Sequence, residues 1–191
     1  MISLNRSMIA KAIFGVSVVA ITATAGVAGF ASAARHHQPD GDGYGGYGGN
    51  AGLIQAAVDT FNTAVAAATS TLNSDISACV ANVGQPSSTT RDFRHSSSND
   101  ASNFSAQTAN PTAFSNITKF DNNVKGADSR LQHDVDSDTN TLTANLDRNF
   151  GNNHDKHNKL QKCLNTANNT FRNSIAAAER TLRNTLRGIF S

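Results

Sequence analysis

The segment from Lys159 to Phe190 constrains the fold more than any other, because it is a long amphipathic stretch that holds one of only two cysteines. Its apolar residues Leu160, Cys163, Ala167, Phe171, Ile175, Ala178, Leu182, Leu186 and Ile189 recur every three or four positions. That spacing keeps one face of an α-helix apolar, and such a face is stable only when it packs against a second one. A helix is expected over about 154–190. It opens near Asn153 with Asp155 in its first turn, and it closes with Arg183 and Arg187 where cations complement the helix dipole.

The second cysteine lies on a matching stripe. Ile54, Val58, Phe61, Val65, Ala68, Leu72, Ile76 and Cys79 follow the same three-four spacing. Asn50 is a suitable N-cap, Gly84 can adopt the left-handed closing conformation, and Pro86 bars continuation. A helix over about 50–83 follows. If it runs antiparallel to the last helix with Cys79 opposite Cys163, facing residue numbers sum to about 242. Ala51 then faces Ser191, Phe61 lies near Ala178 and Leu182, Leu72 lies near Phe171, and the alanine runs 66–68 and 176–178 meet. Charge agrees with this pairing. The first helix carries only Asp59 and Asp75, while seven basic and two acidic residues fall between Asp155 and Arg187. An internal Cys79–Cys163 bridge is therefore expected over two buried thiols or an intermolecular link.

Between these helices, Asn110-Pro111 makes a favourable helix start. Phe114, Ile117, Phe120, Val124, Leu131, Val135, Leu142, Leu146 and Phe150 then recur at helical spacing, giving a helix over about 111–150 in which Gly126 is a point for a break or bend. Gly151-Asn152-Asn153 turns the chain, so this helix is the antiparallel neighbour of the last one and runs parallel to the first. Residues 85–110 must return along the bundle, a span of about 45 Å that extended chain covers easily. They are rich in Ser, Thr and Asn and read as irregular, with Phe93 and Phe104 as tacks onto the bundle.

The expected fold is all-α: an elongated three-helix bundle, four-helical where the crossover is itself helical. Its first and last helices are antiparallel and disulfide-linked, and one long irregular crossover joins the first to the middle. Composition fits a slender fold, with 38% hydrophobic residues, mean hydropathy −0.35 and no Trp. Asn, Ser and Thr are mediocre helix formers, so the helices must lean on tertiary packing. A bridge closing so long a loop contributes about 4–5 kcal/mol through chain entropy.

Residues 1–33 read as an export signal. Arg6 and Lys11 supply positive charge, the run from Ala12 to Phe30 is uncharged and mostly apolar, and Ala31-Ser32-Ala33 suits cleavage. The alternative is retention as a membrane anchor, since residues 12–33 are long enough to span a bilayer. Setting Arg6 and Lys11 aside leaves basic and acidic residues balanced at 14 each, so charge argues for no partner. Residues 34–49 are a glycine-rich linker. Export would place the cysteines where disulfides persist.

Cleavage after Ala33 or Ala34 leaves histidine third in the mature chain, through His36 or His37. The amine, two amide nitrogens and the imidazole then make a tetragonal site suited to Cu(II) or Ni(II); otherwise no cofactor is expected. His154 and His157, with Asp155 and His133, form a weaker candidate metal cluster. Asp134, Asp136 and Asp138 resemble the opening of a calcium loop, but Thr139 and Asn145 stand where its glycine and glutamate belong. Arg172, Arg180, Arg183 and Arg187 flank the apolar stripe as a candidate contact with an anionic surface. No aromatic platform for bases accompanies them, so nucleic acid is not expected. Asn103, Asn116 and Asn168 stand in glycosylation contexts. No nucleophile elbow, phosphate loop or haem-attachment motif supports catalysis. The leading expectation is a secreted or envelope-associated, non-enzymatic interaction module that binds a macromolecule or itself, and the alternative is the extracellular copper or nickel binder. A membrane enters only if residues 12–33 are retained.

Overall fold

A computed structural model describes residues 50–111 and 117–190. They form four α-helices and, among the described residues, no strand. The helices are α1 (Ala51–Asn82), α2 (Arg91–Thr108), α3 (Ile117–Phe150) and α4 (His154–Phe190), with a 3-10 turn over Ser87–Thr90. The expected signal (1–33), the linker (34–49), the paired histidines His36 and His37, Phe114 and Asn116 lie outside the described residues.

Every residue of the expected α1 stripe, from Ile54 to Cys79, is buried. The helix stops at Gly84, whose φ of +77° is costly for any residue with a Cβ. There Gly84 N–H donates to the Ala81 carbonyl at 2.9 Å and Gln85 N–H to the Val80 carbonyl at 3.2 Å. This is the paired closure of a Schellman motif. Asn50 makes no capping hydrogen bond. Its Nδ2 donates instead to the Ile189 carbonyl at 3.2 Å, tying the start of α1 to the end of α4.

The bridge is present. Cys79 and Cys163, 84 positions apart, are joined with their Cα atoms 5.6 Å apart. Together with the Asn50–Ile189 bond it sets α1 antiparallel to α4, in the expected register to within a helical turn. Phe61, Leu72, Phe171 and Leu182 fall in one core, with Ala178 packed against it. The alanine runs contribute less than expected: Ala68 is buried, but Ala66, Ala67 and Ala177 are exposed.

The crossover takes the helical alternative. Residues 91–108 are helical rather than irregular, so the bundle is the four-helical form of the expected fold. Phe93, Ser97, Ala101, Phe104 and Thr108 are its buried residues, and their helical spacing makes a stripe in which hydroxyls replace aliphatic groups. Those hydroxyls are satisfied. Ser97 Oγ donates to Asn73 Oδ1 and Thr108 Oγ1 to Asn62 Oδ1, each at 2.8 Å, so polar groups can be buried without the desolvation cost. The Phe104 ring meets Phe61 edge-on, with centroids 5.6 Å apart. These pairs run in opposite directions along the two helices, so α2 is antiparallel to α1.

From α2 the chain returns along α3, where Asn123 Nδ2 donates to the Gln107 carbonyl at 2.8 Å. Gly126 neither breaks nor ends α3, which is continuous to Phe150. Gly151 (φ +55°) turns the chain, and Asn153 Oδ1 accepts the Lys156 N–H at 3.1 Å as the N-cap of α4. The result is an up-down-up-down bundle in which α1 and α3 each pack on both α2 and α4. At 1.5 Å per residue α4 is about 55 Å long and α2 about 27 Å. On α4, Leu164 and Glu179 are buried, while Cys163 and Ala178, which the spacing placed on the stripe, are only partly so.

Candidate functional site

The chemistry-bearing groups of the described residues gather along the two seams of α3. On the α4 side, Glu179 takes a stripe position between Ile175 and Leu182 and is 8% exposed. Arg183, one turn on, donates from Nη2 to Glu179 Oε2 at 2.9 Å and lies 3.9 Å from Asp121 Oδ1 through Nε. Lys125 Nζ contacts the other oxygen of Asp121 at 2.6 Å. Asp128 accepts from Gln132 Nε2 at 2.9 and 2.8 Å. Glu179 Oε1 is buried without a hydrogen-bond partner. Burial and the adjacent Asp128 charge push the Glu179 carboxyl above its ordinary range, against the pull of Arg183. Burial likewise raises Asp128, against its bond to Gln132 and the Arg183 charge.

On the α2 side, Asp100 faces Asp138 and Asp134 across the seam. Asp100 Oδ2 and Asp138 Oδ2 are both buried and lack hydrogen-bond partners. Burial, then the charges of Asp138 and Asp134, push Asp100 up to about 6. The helix divides the three aspartates that resembled a calcium loop: Asp136 pairs with Arg172 on α4, while Asp134 and Asp138 act on Asp100.

The four arginines do not form one contact face. Arg172 is bound to Asp136 and Arg183 to Glu179, which leaves Arg180 and Arg187 exposed on the outer side of α4. The histidines also disperse. His157 Nδ1 sits 2.6 Å from Asp147 Oδ1, His133 Nδ1 sits 3.4 Å from Asp134 Oδ1, and His154 is exposed. Among the described residues no three His, Cys, Asp or Glu side chains are placed to hold a metal ion. Asn103 is exposed on α2, whereas Asn168 donates from Nδ2 to Thr139 Oγ1 at 3.3 Å inside the α3–α4 seam. Two surface hollows lie at the α3–α4 turn, from Asn152 to Asp155, and on the outer side of α3 around Asp136 and Asn140. No helix of the described residues is long and apolar enough to cross a membrane.

Sequence reasoning passed over Glu179, Asp128 and Asp100, and it weighed Asp138 only as part of a calcium loop. A signal existed for one of them: Glu179 is the only glutamate in the chain, and it falls four residues after Ile175 and three before Leu182. Comparison with family models, with curated proteins and with solved structures returns no match.

Proposed function

We propose that this chain is a secreted or envelope-held, non-enzymatic helical module that binds another macromolecule or a second copy of itself. The observation that carries the reading is the Cys79–Cys163 bridge. It joins α1 to α4 covalently and suits a chain that works in an oxidising compartment. Under this reading the bundle is a rigid rod with a polar surface. Its threonine hydroxyls bond back to their own helices, as Thr60, Thr63, Thr166, Thr170 and Thr181 do to the carbonyls four residues earlier. The groups that face outward are charged and amide side chains, among them the exposed Arg180 and Arg187 on α4.

Cross-linking in the native extracellular or envelope fraction tests this, using wild type and an Arg180→Glu/Arg187→Glu variant. A discrete cross-linked partner, or a self-linked dimer, that is lost in the variant supports the reading. A monomer with no specific cross-link in either form refutes it. The intact mass of the same material gives the N-terminus: Ala34 or Arg35 fits a secreted module, and Met1 fits the anchored alternative.

A further inference from the structure

We propose that the α2–α3 seam is a proton-operated latch, in which Asp100 and Asp138 share one proton that holds α2 against α3 and part when that proton is lost.

The geometry leads to this directly. Two carboxylate oxygens, Asp100 Oδ2 on α2 and Asp138 Oδ2 on α3, are sequestered from water, and among the described residues no donor reaches either one. Two ionised carboxylates in that position repel each other. A single proton taken from solvent turns one of them into a donor to the other and satisfies both oxygens at once. Among the described residues no cation offsets the charge. From α3 the facing groups are Asp134 and Asp138. Arg130 Nη2 is engaged by Gln107 Oε1 further along the seam, and the exposed His133 ring lies against Asp134. α1, the other helix packed on α2, carries only Asp59 and Asp75 as charged side chains. The α3–α4 seam differs, because Arg183 and Lys125 sit among its carboxylates. No three metal ligands converge among the described residues, which leaves the proton as the group the Asp100–Asp138 pair can hold.

The direction follows from linkage. Asp100 is raised from 3.8 to about 6, so the stability it lends is present below about pH 4 and is lost as pH rises through about 6. A shift of that size corresponds to at most about a hundredfold change in the docked-to-undocked ratio. Solvent around a half-buried pair reduces this to about tenfold. α2 is the helix such a change can move, because it is the shortest and the poorest in apolar groups, with only Phe93, Ala101 and Phe104 as buried hydrophobic residues. In mildly acidic surroundings the four-helix form is closed. In neutral surroundings α2 loosens and bares Phe93 and Phe104 with the part of α1 beneath them.

The test is amide hydrogen exchange of the oxidised full chain at pH 5 and pH 7.5, corrected for intrinsic exchange rates. Protection of residues 91–108 is expected to fall severalfold, at most about tenfold, between the two while α1 stays protected. Asp100→Asn cannot ionise and donates a hydrogen bond to Asp138, so it should keep α2 protected at both pH values; Asp138→Asn is the second variant. Protection of α2 that is unchanged with pH in wild type, or that falls equally in both variants, overturns the proposal.

Discussion

Replacing Phe104 by alanine tests the least expected element of the fold. Phe104 is 1% exposed, and its ring centroid lies 5.6 Å from that of Phe61 at an interplanar angle of 61°. Truncating a buried phenylalanine costs about 3–5 kcal/mol through lost transfer energy and the cavity left behind. The edge-on pair accounts for about 0.5–1.5 kcal/mol of that. What then holds α2 is Phe93, Ala101 and side-chain hydrogen bonds such as Ser97–Asn73 and Thr108–Asn62, the bonds contributing about 1 kcal/mol each. Serine and asparagine give the helix little intrinsic stability of its own. The loss should therefore appear as local undocking. Amide protection of residues 91–108 should drop by about a hundredfold or more, while the amides of α1 and α4 around the disulfide keep most of theirs. Native-state hydrogen exchange at low denaturant, at pH 5 where the Asp100–Asp138 pair is closed, reads this residue by residue. Equal loss of protection in all four helices would refute the reasoning. So would α2 amides that exchange freely in the wild type.

Other perturbations act on the bundle as a whole. Reducing the Cys79–Cys163 bridge removes about 4–5 kcal/mol from a total of order 5–15 kcal/mol, so calorimetry should show the melting temperature falling by about 10–20 °C; an unchanged melting temperature would contradict the clamp. Arg183→Ala removes the hydrogen bond that Glu179 receives from Arg183. Discounted for the 35% exposure of the arginine side chain, the loss should be about 1–3 kcal/mol near neutral pH. It should shrink on acidification, because the carboxyl of Glu179 is already held high by burial and by Asp128, and protonation removes the unpaired charge. Urea titrations at pH 5 and 7.5 check this; equal losses at both would count against the buried carboxylate as the cause.

The two helices that clamp the bundle were legible because their stripes are aliphatic. The α1 stripe from Ile54 to Cys79 is buried throughout, and Gly84 with Pro86 marked its end for stereochemical reasons that hold in any context. α2 was not legible. Its buried face contains Ser97 and Thr108, which look like surface residues until Asn73 and Asn62 on another helix supply acceptors. The same limit applies to α4, where spacing placed Ala178 on the stripe and the structure buries Glu179 beside it. A glutamate can occupy that position because Arg183 donates to one of its oxygens and the Arg183 and Lys125 charges offset its own. Their contacts depend on how α3 and α4 pair, and periodicity carries no record of that pairing. The pairing of two arginines was hidden for a related reason: Arg172 and Arg183 fall on the same arc as Arg180 and Arg187, yet Asp136 and Asp121 across the seam draw them inward.

Mass analysis of a tryptic digest of the native protein, without reduction, tests the clamp on which the rest of the account depends. Cleavage at Arg35, Arg91, Lys162 and Arg172 leaves residues 36–91 and 163–172, each holding one cysteine. The account predicts that these two peptides are found joined within one chain and separate on reduction. Recovery of both as free thiols, or of each linked only to its own copy, would contradict it.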